Sequence, residues 1–578
     1  MNSYELTTQA LKSFVTEGVV FSLEKPAEIA HGDYATNIAF PLSKQEGVSP
    51  KAYAEKIVPE LQKLLVDVVE KIDVAGPGFI NFFLKDEVVR KENESTHRAA
   101  TTKYTGKNIL VEHSSPNLFK PFHIGHLMNN IVGEFVTRAV TVGGARTQIL
   151  CFPSDISFGI AKAVYVWKKD IQEGKAPSLD FLSHGSDKEK ETALVDYFGE
   201  CYVRGVALAQ ENKILEGEMR TIASNLYGKV QGEDYDLWSK ARMVNSAYFS
   251  NVLESIGSRM GKIIYESDVD ALGKDIVLSN VGEGEVFTKS EGAIVYIPDE
   301  DRKDINTSVF VTSEGHATYE AKDLGLIQKK FSEYGFVDAS YFITDQEQLN
   351  HFKVVLDAAS KLEGEWPERV VKSVHVPHGR MLFKGQKMSS RLGGVPLALD
   401  VIAAVEEEVR ERAGDKIAHL STEEKAKLER EIALSALRIA VLRSKPGINI
   451  NFDPETSLSF EGDSGPYLLY THARCVSLLE KAKDMQRAWG DIPVTSLEKV
   501  LLHFERELVV ACEDLAPQKL VSYLFSVAQH FNSYYATTQI LVEGDEKGNA
   551  HRLKVVERTK EVLKKGLHVL GIEAVNMM

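Results

Sequence analysis

Residues 115–126 read Ser-Pro-Asn-Leu-Phe-Lys-Pro-Phe-His-Ile-Gly-His. His123 and His126 are three apart, so on a helix they share one face and can serve one ligand. Gly125 between them lets a ligand come close to the backbone. A helix N-terminus at this point would favour an anion. The layout suits a nucleoside triphosphate, with both imidazoles donating to phosphate oxygens. The letters H-x-G-H alone arise easily by chance, and an isolated histidine is usually a core or solvent-facing residue, so the surrounding chain must carry the reading.

The flanking elements fit. The apolar run 108–111 reads as a buried strand and 127–140 as a helix. Residues 148–152 form a second strand, and strands resume at 293–297 and 340–344. The charged stretch from about 160 to 290 interrupts this alternation and reads as an inserted module. Residues 105–400 are therefore expected to form an α/β domain, and open parallel sheets bind ligands at the carboxyl ends of their strands. Ahead of it, residues 1–104 read as an α+β unit. Apolar residues at 4–18 and 52–72 have helical spacing, 74–78 is a turn, and 79–84 is a strand. The polar segment 31–37 reads as a loop entering a helix. From 401 to 578 the pattern is helical, at 428–442, 496–515 and 552–570, which predicts an all-α bundle. The expected fold class is multidomain α/β with an α+β N-terminal domain and a helical C-terminal domain.

A second stretch, Phe-Lys-Gly-Gln-Lys-Met-Ser-Ser-Arg-Leu-Gly-Gly at 383–394, resembles the mobile lysine loop of the class I aminoacyl-tRNA synthetases. With Glu112, Ser115-Pro116-Asn117 and Lys120 beside the histidines, the chain resembles the arginyl-tRNA synthetases over nearly its whole length. The resemblance implies a Rossmann-like catalytic domain. It also implies that ATP meets His123, Gly125, His126, Lys387, Met388 and Ser389. Class I enzymes usually carry a second loop lysine where this chain has Ser390, and Lys120 stands where arginyl enzymes place a substitute. His123, His126, Lys120 and Lys387 are thus the expected catalytic set.

Arginine needs carboxylate partners for its guanidinium. Tyr319 and Asp323 are four apart, so on a helix they face the same way. By spacing alone Tyr319 would pack in a core and Asp323 would cap a helix or pair with a cation. The resemblance implies instead that the two hold the guanidinium. It implies further arginine contacts at Glu112, Asn117 and Gln346. Phe79 and Asn81 match residues that hold a tRNA elbow base by stacking and an amide bond. Gly76 departs from an asparagine found in some relatives, and a core role for Phe79 stays open. Ala436-Leu437-Arg438 and the segment Tyr470 to Arg474 resemble an anticodon-binding domain, and Met578 resembles a carboxyl end packed on the anticodon loop. Lys554, Arg558 and Lys565 share a face of the last helix and would either meet phosphates or be solvated.

Bulk properties set limits. With 578 residues, 43% hydrophobic and 26% charged, the chain can bury several cores. Its formal net charge of −15 argues against a general nucleic-acid binder, while leaving room for local tRNA contacts. Four cysteines, far apart, argue against a structural zinc or a disulfide framework and for a reducing cytoplasm. No apolar run reaches spanning length, and the first residues lack a secretory signal's features. The resemblance implies that ATP with Mg²⁺, L-arginine and arginine tRNA are substrates, that tRNA is needed even for activation, and that the enzyme is a monomer. Two alternatives remain at this point: a class I enzyme for another amino acid, which Tyr319 with Asp323 disfavours, and a non-catalytic tRNA-binding paralogue, which the intact His123, His126, Lys120 and Lys387 disfavour.

Overall fold

The computed structural model describes residues 1–15, 18–26, 28–94, 103–179, 187–383, 396–413 and 420–578. At the N-terminal end, β1 (Leu23–Glu24), β2 (Tyr34–Thr36), β3 (Val69–Ala75) and β4 (Phe79–Leu84) form an antiparallel sheet in the order β1-β2-β4-β3. Helices Ser3–Lys12, Ala39–Glu46 and Pro50–Leu64 accompany it, and the unit has its own apolar core. Two local expectations change here. The helix predicted over 52–72 ends at Leu64, because Val69–Ala75, with β-branched Val69, Ile72 and Val74, pairs as a strand with β4, its register shifting between Val69 and Lys71. Within 31–37, Tyr34–Thr36 is a strand bonded to β1 and β4 rather than a loop.

The centre is a five-stranded parallel sheet. Its strands are β5 (Asn108–Glu112), β6 (Arg146–Cys151) and β7 (Lys262–Ile263), then, after an excursion, β11 (Ala339–Asp345) and β12 (Ser373–His378). The order is β12-β11-β5-β6-β7 and every pair is parallel. Chain direction across the sheet reverses between β5 and β11, so their carboxyl ends flank the crevice where ligands bind in such sheets. Among the described residues, four α-helices lie between β6 and β7: Phe158–Gln172, Lys188–Glu211, Lys213–Tyr227 and Glu233–Ser255.

The excursion before β11 is a separate antiparallel sheet of β8 (Phe287–Ser290), β9 (Ala293–Tyr296) and β10 (Ser308–Val311). The run at 293–297 therefore does not join the catalytic strands. Only Glu291 and Gly292 separate β8 from β9, and both have positive φ, 49° and 83°. That is the primed turn of an antiparallel hairpin, whereas a parallel neighbour needs a long crossover.

Helix Ile124–Val142 connects β5 to β6 and is buried on most sides. It packs on the sheet and also on C-terminal helices, among them Thr422–Leu442, Phe504–Glu513 and Glu546–Val569. Its apolar residues belong to one core running from Tyr104 to Ile572, so the catalytic sheet, the helical insertion and the bundle are packed as one body. Within the bundle, the stretch predicted as one helix over 496–515 divides at His503 into Ser496–Leu502 and Phe504–Glu513. Finally, β13 (Met381–Phe383) and β14 (Ile450–Phe452) pair in parallel and tie the catalytic domain to the bundle.

Candidate active site

Local hydrogen bonding builds the histidine turn. His123 is the N-cap of helix Ile124–Val142, and its Nδ1 accepts the Gly125 N–H at 3.1 Å. The His123 N–H in turn donates to Nδ1 of His126 at 3.3 Å. The rings stack with centroids 3.7 Å apart. Burial, with Lys120 and, for His126, the other ring adding repulsion, holds both imidazoles below their usual pKa. They are therefore neutral near pH 7, and since each Nδ1 accepts, each Nε2 carries the proton and donates. A Cβ at Gly125 would stand 3.0 Å from Cε1 of His123, tight enough that the ring would have to give way.

The turn is braced by the insertion. Ser114 and Phe119 hold left-handed backbone, φ 57° and 58°, which non-glycine residues adopt only when their surroundings enforce it. Asn245 accepts the Phe119 N–H at 3.3 Å, and the Tyr248 hydroxyl accepts that of Phe122 at 3.4 Å. Both come from helix Glu233–Ser255. The Lys120 ammonium lies 4.9 Å from the centre of the Tyr202 ring, on helix Lys188–Glu211. On the other side, Ile124 N–H donates to Pro396 O at 2.9 Å, and Ala398 N–H to Phe122 O at 2.9 Å. These residues follow 384–395, so the predicted Lys387, Met388 and Ser389 lie outside the described residues while the chain just after them is bonded to the histidine turn.

A cavity of about 470 Å³ opens at the carboxyl ends of β5 and β11. His123, Gly125, His126 and Asn117 line one part, and Glu112, Tyr319 and Asp323 line another. The structure thus brings together most of the residues singled out in the sequence. Tyr319 begins helix Tyr319–Glu333 and is 53% exposed, so it is not a core residue. Asp323, one turn later, is 9% exposed, and its Oδ2 lies 2.6 Å from Nε2 of His351. Glu112, at the end of β5, accepts a hydrogen bond from the buried Lys330 ammonium. Deeper in the wall, Lys322 reaches Glu266 at 2.6 Å and Ile156 O at 2.8 Å. Burial pushes the Glu266 carboxyl up to about 7 against the pull of that ammonium.

Two expected residues are placed differently. Lys120 does not line the cavity among its described residues, although its charge is felt by both histidines. Gln346 is also absent from the lining, and its amide donates to Asn449 Oδ1 at 2.7 Å. Sequence reasoning missed Lys330, Glu266 and His351. His351 follows β11 by less than two turns, on helix Leu349–Ser360, and strand ends are where ligand contacts gather. That position was its one available signal.

A second cavity, about 420 Å³, lies in the bundle and is lined by Tyr467, Tyr470, Arg474, Asn532 and Met578. Arg474 donates to the Tyr470 hydroxyl at 2.7 Å and lies over its ring. In the N-terminal unit Phe79 is 43% exposed, with its ring 5.0 Å from that of Phe40, while Asn81 on the same strand is buried. Arg558 is not on a solvated face: it is buried over Phe504 with Glu505 at 3.8 Å, whereas Lys554 pairs with Glu557 at 2.8 Å.

Comparison with known proteins gives a consistent picture. The family model "tRNA synthetases class I (R), catalytic domain" matches residues 88–453. "Arginyl tRNA synthetase N terminal domain" matches 5–84, and "DALR anticodon binding domain" matches 468–578. The arginine–tRNA ligase of Clostridium perfringens is 26% identical, with 100% of each chain covered. That of Borreliella burgdorferi is 28% identical over 96% of this chain and 94% of its own. Among solved structures, the Thermus thermophilus arginyl-tRNA synthetase superposes with a TM-score of 0.78 at 24% identity, covering 99% of both chains. The Plasmodium falciparum arginyl-tRNA synthetase gives 0.77 at 18%, covering 99% of this chain and 98% of that one.

Proposed function

The chain belongs to the class I tRNA synthetases, in their arginyl branch, and from that premise we propose that arginine is activated in the 470 Å³ cavity. The protein is an arginine–tRNA ligase: ATP activates L-arginine to the adenylate, and the arginyl group passes to the 3′ end of tRNA. The observation that carries the placement is the cavity's two-sidedness, N–H donors at a helix N-terminus on one side and carboxylates on the other.

In the first step a carboxylate oxygen of arginine attacks the α-phosphorus, and the bond to pyrophosphate breaks. The protein's task is to position groups and to stabilise the charge that develops. We assign the Nε2–H groups of His123 and His126 to phosphate oxygens, with Gly125 allowing close approach. Lys120 supplies positive charge from the side of Tyr202, Lys387 supplies a second, and Met388 and Ser389 are further ATP contacts. Magnesium enters with ATP, on its phosphates. Tyr319 and Asp323 read the guanidinium, and Asn117, Glu112 and Gln346 contact the rest of arginine. For Gln346 this requires leaving Asn449. We assign tRNA contacts to the flanking units, residues 1–104 and 401–578: Phe79 and Asn81 at the elbow, Tyr470 and Met578 at the anticodon. Exposed Phe79 offers a ring face for stacking.

The proposal extends to a tRNA requirement for activation, a monomeric state and a cytoplasmic setting. No helix among the described residues is long and apolar enough to cross a membrane. Pyrophosphate exchange measured with each standard amino acid, with and without tRNA, tests the reading. Exchange with arginine alone among the amino acids, and only when tRNA is present, is expected. Exchange with another amino acid, or at full rate without tRNA, would overturn the specificity or the coupling respectively.

A further inference from the structure

His351 stands at the guanidinium side of the cavity and belongs to neither signature. Its Nε2 is 2.6 Å from Asp323 Oδ2, and its Nδ1 is 3.7 Å from Glu320 Oε1. It is thus held between two carboxylates three apart, on one face of helix Tyr319–Glu333. The Phe352 ring meets its edge at 4.9 Å. Among the described residues, His351 is the one cation paired with Asp323.

We propose that His351 is a positioning residue for arginine: it fixes the Asp323 carboxylate through Oδ2, leaving Oδ1 to meet the substrate. This rests on the reading of Asp323 as the guanidinium partner. A carboxylate at a cavity wall with nothing beside it can rotate and draw in water. One bonded by a packed imidazole keeps one orientation, so the substrate meets a preorganised acceptor. Charge supports the same conclusion. Burial disfavours the charged ring, but the bonds to Asp323 and Glu320 outweigh it and raise His351 to about 10. Two carboxylates and one imidazolium sum to a single negative charge, which one guanidinium cancels. Of the other carboxylates lining the cavity, Glu112 and Glu266 have Lys330 and Lys322, and Asp345 and Glu347 share Arg380, so without His351 the Asp323–Glu320 pair would be left with two negative charges and no cation of its own among the described residues.

The test is a double-mutant cycle on the full chain with tRNA present, read as KM and kcat of arginine-dependent exchange. His351→Leu should raise the KM for arginine about tenfold with the KM for ATP unmoved. His351→Gln, which keeps a donor, should recover part of this. Because His351 acts through Asp323, Asp323→Asn combined with His351→Leu should be no worse than Asp323→Asn alone. An unchanged arginine KM in His351→Leu, or effects that add in the double variant, would overturn the positioning role. An unchanged arginine KM in Asp323→Asn would instead sink the guanidinium reading. Nitrogen NMR of labelled histidine adds an independent check: both ring nitrogens of His351 should carry protons in mildly alkaline buffer, and a neutral ring would overturn the charge count.

Discussion

The two sides of the central cavity are made by opposite means. On the histidine side, the four residues from His123 to His126 set the donors by bonds among themselves, with other elements bracing only the backbone around them: His123 caps the helix, His126 returns the bond, and both rings stay neutral. On the carboxylate side, each group depends on a partner from another element: Glu112 on Lys330, Asp323 on His351, Glu266 on Lys322. One side works by fixed dipoles and costs little charge burial, while the other concentrates ions and must balance them. The difference teaches that a site for an anion can be local, whereas one for a buried cation needs a network.

That contrast can be broken most forcefully at Asp323. Asp323→Ala should cost about 2–5 kcal/mol in kcat/KM for arginine, because a desolvated guanidinium loses its ion partner. The KM for ATP should stay constant in steady-state exchange kinetics, and a parallel loss for ATP would show that the two sides are not separate. Lys120→Ala comes next. It should lower kcat by roughly 1.5–3 kcal/mol, the worth of a bond to a charged group, with little change in arginine KM. Tyr202→Leu should act in the same direction and more weakly, since it only loosens the ammonium. Gly125→Ala pushes a methyl towards the His123 ring and should cost about 0.5–2 kcal/mol of cap energy, measured by denaturant unfolding, with a fall in ATP affinity.

The smallest effect sharpens the contrast by sign. His351 has a raised pKa, so its contribution to stability is full below the unfolded value of 6.5 and is lost as pH rises through about 10. His123 and His126 have lowered values, so theirs is present above 6.5 and is lost as pH falls below it. Unfolding measured against pH should therefore show the His351→Leu deficit shrinking in alkali, and His126→Asn should lessen acid lability. Stability differences from the parent protein that change with pH in the same direction for both variants would refute the assigned protonation states.

The same division explains what the chain disclosed before its structure. Contiguous signals were legible: the strand, cap and helix around His123, and the four-residue step from Tyr319 to Asp323. Partnerships across long separations were not. Lys330 meets Glu112 across 218 residues, and nothing in either neighbourhood marks the other. Periodicity also cannot say which sheet a strand joins: by pattern alone β9 reads like the parallel strands, although a two-residue turn forces it antiparallel. Arg558 shares its helical face with Lys554, yet neighbouring helices cover it, and burial of that kind is a property of packing rather than of spacing. Gln346 lies where the sequence placed it, at the end of β11, but its side chain bonds Asn449.

The N-terminal unit sits against the far end of the chain. Arg90 donates to Ile492 O at 2.7 Å, a separation of 402 residues, and Asn93 donates to Glu498 O at 2.9 Å. The Tyr34 ring meets His503, and the Arg506 guanidinium lies 3.7 Å from the centre of the Tyr4 ring. Consider this during synthesis. The first unit has a core of its own and can form as soon as it leaves the ribosome, but its docking surface is made almost last. At roughly 5–20 residues per second, some tens of seconds separate the two events. Throughout that interval the nascent chain carries a folded leading unit whose resting place does not yet exist.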